Sequence, residues 1–145
     1  MRYYPQLLVT AQFLLIIAIV VLSIRQFHLN IVGVVCIVAG LWLGSKAVRH
    51  HPKHNFNIVP ELKEGCQLVT QGPYRYIRHP MYSAVMLLTG GIALCGNSHT
   101  LWLLWLLLWG VLFLKAHREE RLWLQHDTCY ATYKEQTAYF IPYLF

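Results

Sequence analysis

Four long apolar blocks limit what this chain can fold into. They run from Leu7 to Ile24, from Leu29 to Val48, from Met81 to Cys95 and from Leu101 to Leu114. A helix needs about 20 residues, within a range of about 17–25, to cross the hydrocarbon of a bilayer. The first two blocks meet this length, and the other two meet it if their helices continue into the flanking residues. Hydrophobic residues make up 57% of the chain and charged residues only 12%, a composition that is unusual for a soluble domain.

The blocks predict an all-α integral membrane protein that forms a single domain over residues 1–145. Four transmembrane helices are expected in two hairpins, over residues of about 7–24, 29–48, 79–96 and 99–117. A loop of about residues 49–77 joins the hairpins, and residues 118–145 are expected to form a C-terminal interfacial segment. The segment from His117 to Tyr133 is predicted to be an amphipathic helix, and the apolar ending is expected to fold back onto the bundle or the interface.

Two other interpretations of the apolar blocks are disfavoured. The first block is unlike a secretory signal, because its apolar run is too long and no small-residue cleavage site precedes Arg25. The third and fourth blocks are unlike a buried hairpin of a soluble protein, because neither has a polar face.

The positions of the basic residues predict the orientation of the chain in the membrane. The net charge is +6, and the lysines and arginines cluster between the second and third blocks and after the fourth. Arg25 is the exception, in the connection between the first two blocks. The positive-inside rule then predicts that both termini and the loop of residues 49–77 are cytoplasmic. Topology thus accounts for the charge, and no nucleic-acid partner is expected. The scattered cysteines contain no C-x-x-C pair, so disulfides are not expected on this reducing side.

The second hairpin is expected to bring two distant segments together. His79 lies 19 residues before Ser98, and Glu119 lies 21 residues after it. At about 1.5 Å per residue, both arms rise by roughly 30 Å. Glu119 and Glu120 should therefore return to the membrane face that carries the turn before the third block.

That turn combines cationic and aromatic side chains. They are Tyr74, Arg75, Tyr76, Arg78, His79 and Tyr82. Pro80 suits the first turn of the helix that follows. The free N–H groups of that turn, beside arginine and histidine side chains, favour an anionic group such as a carboxylate. The tyrosine rings offer faces for a cation or a flat base.

The acidic pair Glu119-Glu120 supplies the complementary chemistry. Two adjacent carboxylates beside lipid are costly unless they have a function. They could accept hydrogen bonds from ribose hydroxyls or an amino group, or balance a positive sulfonium. Anion donors, aromatic faces and carboxylates together match S-adenosylmethionine. Taken singly, each feature is also typical of snorkelling arginines, interfacial aromatic anchors or a solvated helix turn. The loop histidines lack the fixed ligand spacing of a metal site, so none is expected.

Several motifs in order resemble the isoprenylcysteine carboxyl methyltransferase family. They are the run from Gly72 to Tyr82 with its R-H-P-x-Y turn, Glu119-Glu120 with Leu122, Tyr130-x-x-Tyr133, and Ile141-Pro142. The related membrane phospholipid N-methyltransferases share the R-H-P-x-Y turn and the E-E pair. The resemblance covers roughly residues 55–145, and the first two apolar blocks match only as generic membrane helices. It implies an integral membrane enzyme that uses S-adenosylmethionine at its cytoplasmic face and receives its acceptor from the lipid side.

The resemblance also implies roles for individual residues. The implied cofactor-binding residues are Tyr74, Arg75, His79, Pro80, Tyr82, Glu119 and Glu120. From the chemistry of methyl transfer, the predicted catalytic residues are Glu120 and His79, as candidate bases, and Arg78, which is expected to bind an anionic group. Gln136 stands where the prenylcysteine enzymes have a basic residue, and Thr128-Cys129 replaces their F-G. These departures argue against prenylcysteine specificity.

The predicted function is methyl transfer to a lipophilic or lipidated acceptor in the bilayer. A carboxylate acceptor is the first hypothesis, and it needs no base. A phospholipid amine or a small thiol is the alternative, with Glu120, His79 or Tyr82 as the candidate base. A non-catalytic membrane protein, or a protein related to the sterol reductases, is the hypothesis of a different class, and the short chain argues against a reductase.

Overall fold

The fold is a bundle of α-helices. The computed structural model describes residues 3–52, 59–61 and 65–142. Its helices are α1 (Tyr4–Arg25), α2 (Ile31–His50), α3 (Pro80–Gly96), α4 (His99–His126) and α5 (Cys129–Gln136). A short 3₁₀ turn, Gly72–Arg75, precedes α3. Within the described ranges no strand occurs, apart from an isolated parallel bridge between Ile77 and Ala138. The predicted all-α class is confirmed.

Helices α1, α2 and α4 are long and apolar enough to cross a membrane. Helix α3 is also apolar but has 17 residues, which is at the lower end of the spanning range. Large apolar side chains such as Leu14, Val35 and Trp42 are exposed on the outside of α1 and α2. Such faces are stable against lipid and unfavourable in water, so the structure agrees with the predicted membrane protein.

Helix α3 lies at the centre of the bundle and contacts α1, α2 and α4. It approaches α2 closely, because glycines face each other across that interface. A Cβ atom added to Gly40 would lie 2.8 Å from the backbone nitrogen of Leu88, and one added to Gly91 would lie 2.5 Å from the carbonyl oxygen of Gly33. Small residues at a helix interface let two membrane helices pack backbone to backbone. This contact fixes the position of α3, whose first turn carries the candidate site.

The other side of α3 packs into a core shared with α1 and α4. Ile19, Ala93, Leu101 and Leu108 are almost fully buried there. The indole nitrogen of Trp105 donates a hydrogen bond of 3.0 Å to a carbonyl oxygen of α3. These contacts hold α3 and α4 antiparallel, so that the start of α3 and the end of α4 share one end of the bundle.

The region after residue 117 differs in detail from the expected single amphipathic helix. Helix α4 continues to His126, and the chain turns at Asp127 before α5 begins. Asp127 breaks the helix because its backbone is extended and its side chain accepts a 2.8 Å hydrogen bond from the backbone nitrogen of Cys129. The longer α4 places the acidic pair within a continuous helix, which holds both carboxylates rigidly.

The chain after α5 folds back onto the turn before α3, as predicted for the apolar ending. The backbone nitrogen of Arg78 donates to Ala138 (2.9 Å), and the backbone nitrogen of Ala138 donates to Tyr76 (3.0 Å). The Ser83 hydroxyl donates to the carbonyl oxygen of Phe140 (2.7 Å). Residues 143–145 of that prediction lie outside the described residues. This returning segment closes the end of the bundle that contains the site.

Candidate functional site

A cavity of about 320 Å³ lies where α3 begins and α4 ends. Its volume is at the lower end of the range of about 300–1,000 Å³ that is common for ligand pockets. Its walls come from α1, from the segment between α2 and α3, and from α3, α4 and α5. The lining residues are Gln12, Phe13, His51, Val59, Glu61, Cys66, Gln67, Leu68, Val69, Tyr74, Arg78, His79, Pro80, Met81, Tyr82, Val85, Lys115, Glu119, Trp123, Tyr130 and Tyr133.

The predicted meeting of the turn and the acidic pair is confirmed. The Nε atom of Arg78 lies 2.5 Å from Oε1 of Glu120, and the Tyr82 hydroxyl donates a hydrogen bond to Glu119. Residues about forty positions apart in the chain thus form one cluster, because the α3–α4 hairpin has arms of similar height.

Glu120 forms the inner part of this cluster and does not line the cavity. Its side chain is 2% exposed. Besides the Arg78 contact, its Oε2 forms an ion pair with the Lys134 ammonium of α5, at a distance of 2.8 Å. Arg78 also donates to the carbonyl oxygens of Lys134, at 2.9 Å, and of Thr137. This ion-pair network, made by Arg78, Glu120 and Lys134, ties α5 and the returning segment to α3 and α4.

Glu119 has the opposite placement. Its side chain lines the cavity and is 22% exposed. It accepts the Tyr82 hydrogen bond, and its Oε2 lies 3.6 Å from Nδ1 of His79. A carboxylate at a cavity wall, held by a neutral hydroxyl, keeps acceptor capacity for a ligand. Of the two adjacent glutamates, Glu119 is therefore the one placed to touch a bound molecule.

His79 lies between the two carboxylates. Its Nε2 is 3.5 Å from Oε1 of Glu120, within ion-pair range, but it is buried and has no hydrogen-bond partner among the described residues. The ring stacks on Tyr82 with an interplanar angle of 11° and contacts Tyr139 at 5.1 Å between ring centroids. A buried ring nitrogen without a hydrogen bond is uncommon in folded proteins, and functional sites are one place where it occurs.

Tyrosines form the wall beside the 3₁₀ turn. The Tyr133 hydroxyl donates a 2.6 Å hydrogen bond to the carbonyl oxygen of Tyr74, and the Tyr74 hydroxyl lies 3.2 Å from Nδ1 of His51. Burial is the main cause that raises the pKa of Tyr133 to about 12, and burial also raises the pKa of Tyr74 and of Tyr130 well above the ordinary value. These hydroxyls are neutral donors at any physiological pH.

The remaining predicted residues are placed as follows. Pro80 lines the cavity at the first position of α3, where its missing N–H leaves no helical bond unmade. Arg75 is exposed at the end of the 3₁₀ turn and does not line the cavity. Tyr76 is also exposed. Of the predicted cofactor-binding residues, all line the cavity except two: Glu120 lies behind its wall in the ion-pair network, and Arg75 is exposed.

The sequence reasoning missed Lys115 and Gln12. Lys115 is 2% exposed, lines the cavity, and donates a 2.6 Å hydrogen bond to Oε1 of Gln12 on α1. Both positions carried a signal, because a lysine or glutamine beside an apolar membrane helix is rare and usually faces the bundle interior. As a basic residue after the fourth apolar block, Lys115 is part of the charge pattern that predicts the orientation.

The cavity therefore has two chemically different parts. Its polar part carries Arg78, His79, Glu119 and the tyrosine hydroxyls, which can bind both charged and hydroxyl groups. Its apolar part is made by Phe13, Val85 and neighbouring side chains. Such a site can hold a charged small molecule next to an apolar one.

Comparison with known proteins agrees with this arrangement. A family model described as phospholipid methyltransferase matches residues 28–130, which include α2, α3, the turn and the acidic pair. Comparison with curated proteins gives no match. The matched region is well over half of the chain, and the chain belongs to the phospholipid methyltransferase family of membrane methyltransferases.

Proposed function

We propose that this protein transfers a methyl group from S-adenosylmethionine to a lipid-soluble acceptor, and that a carboxylate is the first choice of acceptor. The observation that carries the proposal is the placement of Glu119, Tyr82 and His79 in one cavity wall, beside Arg78. The family supports methyl transfer in a membrane, and the site supports the donor and the acceptor.

The residues present fit S-adenosylmethionine. That molecule carries a carboxylate, an ammonium, a sulfonium and an adenosine. Glu119 offers acceptor oxygens to the ammonium or the ribose hydroxyls. Arg78 uses Nε and Nη1 within the protein, and its Nη2 can donate to the ligand carboxylate. The buried Nε2 of His79, which has no hydrogen-bond partner among the described residues, gains one if a ligand polar group enters. The tyrosine rings can stack on a flat base.

The chemistry supplied by bound S-adenosylmethionine is a methyl group on a sulfonium: the nucleophile bonds to the methyl carbon as the carbon–sulfur bond breaks, and that electron pair stays on sulfur. The protein has to align the two molecules and exclude water. A carboxylate nucleophile is already ionised, so no proton has to move. A carboxylate acceptor therefore needs only binding and alignment from the site.

A phospholipid amine is the second candidate acceptor, and the description of the matching family favours it. An amine nucleophile must lose a proton. His79 and Tyr82 line the cavity, whereas Glu120 is bonded to Arg78 and Lys134 outside it. For this acceptor, His79 is the candidate base.

The same proposal includes an orientation in the membrane. The end of the bundle that contains the cavity also contains the basic ends of α2 and α4. Under the positive-inside rule this end, with both chain termini, faces the cytoplasm. A single cysteine introduced at the exposed position Arg49 should then react with an impermeant thiol reagent added on the cytoplasmic side. A single cysteine at the exposed position Phe27 should react with the reagent added on the opposite side.

Binding of the donor is the first test of the proposal. Protein purified in neutral detergent should bind S-adenosylmethionine and S-adenosylhomocysteine in a calorimeter, and it should not bind NADPH. Glu119→Gln and His79→Ala should weaken binding at least about tenfold, as expected for loss of a hydrogen bond to a charged group. Lys46→Ala, at an exposed position on α2, is the control. No binding by the wild-type protein would refute the proposal, and equal effects of all three substitutions would refute the site.

The acceptor class can then be read from the product. Membranes that contain the protein are incubated with donor labelled in the methyl group, and the labelled lipid is treated with mild base. Release of volatile label indicates a methyl ester, and therefore a carboxylate acceptor. Stable label in a phospholipid headgroup would replace the first candidate with the second.

A further inference from the structure

A strip of stacked rings runs along the outer face of α4 and ends at an arginine. Trp109 and Phe113 stack with 5.7 Å between ring centroids and an interplanar angle of 20°, and Phe113 and His117 stack at 6.4 Å and 13°. Residues four apart are neighbours on a helix surface, so Arg121 extends this strip by one step. These four residues are called the α4 ladder. All four are exposed and none lines the cavity, so the ladder is a surface separate from the candidate site.

The returning segment fixes the ring at the centre of the ladder without covering it. Phe113 contacts Tyr139 at 5.5 Å between ring centroids, and the ring of Tyr139 lies 5.1 Å from the Arg78 guanidinium. Phe113 is nevertheless 41% exposed and Trp109 is 44% exposed. Exposed aromatic surface of this kind on a membrane helix is stable in contact with lipid chains. The ladder is therefore a preformed surface that points away from the bundle.

The ladder has the height of one bilayer leaflet. Helix α4 begins at His99, and Arg121 follows 22 residues later, which is about 33 Å at 1.5 Å per residue. Because the hydrocarbon of a bilayer is about 30 Å thick, Arg121 lies at the level of the lipid headgroups. Trp109 lies 12 residues before Arg121, about 18 Å away along the helix axis, which is near the middle of the bilayer. A lipid that lies along the ladder thus has its headgroup at the arginine.

The positive charge at this end of the ladder is not neutralised by α4. The acidic residues of the helix, Glu119 and Glu120, face the cavity and the protein interior. Arg118 faces the segment between α2 and α3 and donates a 3.2 Å hydrogen bond to the carbonyl oxygen of Pro60. Arg121 forms no hydrogen bond or ion pair with any described residue. Its guanidinium is a planar fork of donors, which suits a phosphate.

We propose that the α4 ladder is a docking site for one anionic phospholipid. The lipid phosphate binds Arg121 and His117, and an acyl chain lies on the rings of Phe113 and Trp109. Charge complementarity selects this occupant, because a zwitterionic lipid brings a cation of its own to the arginine. A second copy of the chain is disfavoured: in a symmetric membrane dimer built on the ladder, the two Arg121 side chains would meet at the same height. The proposal is independent of the methyltransfer reaction.

Native mass spectrometry of the detergent-purified protein measures this binding. Phosphatidylglycerol and phosphatidylcholine with the same acyl chains are titrated, and the lipids retained by each protein molecule are counted. The wild-type protein should bind phosphatidylglycerol at least about fivefold more tightly, the contribution of one basic residue near anionic lipid. Arg121→Gln should remove this preference, and Arg121→Lys, which keeps the charge, should retain most of it. Arg49→Gln, at an exposed arginine in the last turn of α2, is the matched control and should leave the preference unchanged.

A photoreactive lipid locates the acyl chain. Phosphatidylglycerol with a diazirine in the middle of one chain should label the part of α4 that contains Trp109 and Phe113, as read by peptide mapping. Unlabelled phosphatidylglycerol should compete for this labelling, and phosphatidylcholine should compete at least about fivefold less well.

Four results would overturn the proposal. The first is a wild-type protein that retains the two lipids equally. The second is an Arg49→Gln protein that loses the preference as much as Arg121→Gln, since basic charge at this end of the bundle would then attract anionic lipid without a site. The third is photolabelling that falls outside α4. The fourth is a protein dimer that retains no phosphatidylglycerol, because a second copy would then cover the ladder.

Discussion

Glu120→Gln should destabilise the protein because it removes the acidic partner of a buried arginine. The Arg78 and Glu120 side chains are 8% and 2% exposed, with 2.5 Å between Nε and Oε1. Removal of one partner from a buried ion pair costs about 3–5 kcal/mol of unfolding free energy. The Lys134 contact adds about 0–1 kcal/mol, since that side chain is 42% exposed. Glutamine keeps one carbonyl acceptor, and Arg78 keeps two backbone acceptors, so the expected loss is near the lower end, about 3 kcal/mol.

The loss is measured by unfolding the protein in mixtures of SDS and neutral detergent while tryptophan fluorescence is followed. Trp123 stacks on Tyr130 of α5 at 6.0 Å, so the signal includes the helix that the network holds. Glu135→Gln, an exposed glutamate of α5, is the matched control and should change stability by less than about 0.5 kcal/mol. If Glu120→Gln and Glu135→Gln lower the unfolding free energy equally, the ion-pair network does not hold the C-terminal segment, and the reasoning is wrong.

Further substitutions test the packing and the tyrosine wall by the same unfolding measurement. Gly40→Ala should cost about 1–3 kcal/mol, because the methyl group would lie 2.8 Å from a backbone nitrogen of α3. Gly110→Ala, where the added methyl meets no atom within 4 Å, should stabilise α4 by up to about 1 kcal/mol. If both alanine substitutions changed the unfolding free energy in the same direction, the described α2–α3 interface would be contradicted. Tyr133→Phe should cost about 1 kcal/mol through loss of its hydrogen bond to Tyr74. Because the pKa of Tyr133 rises from 10.0 to about 12 on folding, its contribution is complete below pH 10 and falls as the pH rises to about 12, so the stability advantage of the wild-type protein over Tyr133→Phe should decrease steadily over that window. A difference that stays constant from pH 9 to pH 12 would refute the assigned cause.

Hydropathy predicted the membrane helices well because each apolar block has to satisfy its own backbone within a helix. It could not predict which helices touch. The α2–α3 contact depends on Gly33, Gly40 and Gly91 lying at the interface between the two helices, and the hydropathy of a glycine does not show which way it faces. The break between α4 and α5 was also missed, because it depends on the side chain of Asp127 bonding the backbone of Cys129, a local alternative to the helical bond.

The meeting of the turn with the acidic pair could be predicted because it follows from the equal heights of the two hairpin arms. The roles within the pair could not, because they depend on the rotation of α4 about its axis. Arg78 shows a second limit of sequence reasoning. Its charge suggested a ligand for an anion, but backbone carbonyls of Lys134 and Thr137 occupy part of its guanidinium, and those carbonyls are brought there by the tertiary fold alone.

The rotation of α4 also explains why two adjacent glutamates suit this site better than one. Consecutive residues of an α-helix point about 100° apart, since a turn takes 3.6 residues. One carboxylate can therefore face the cavity while its neighbour faces the protein. Glu120 forms ion pairs with Arg78 and with Lys134 of α5. These ion pairs hold α5, with Tyr133, and the returning segment against the turn. Glu119 then remains available at the cavity wall with its geometry set by Tyr82. A single glutamate would have to form the ion pairs that hold α5 and also contact the ligand. A ligand that bound this carboxylate would then break the ion pairs that hold the cavity wall in place.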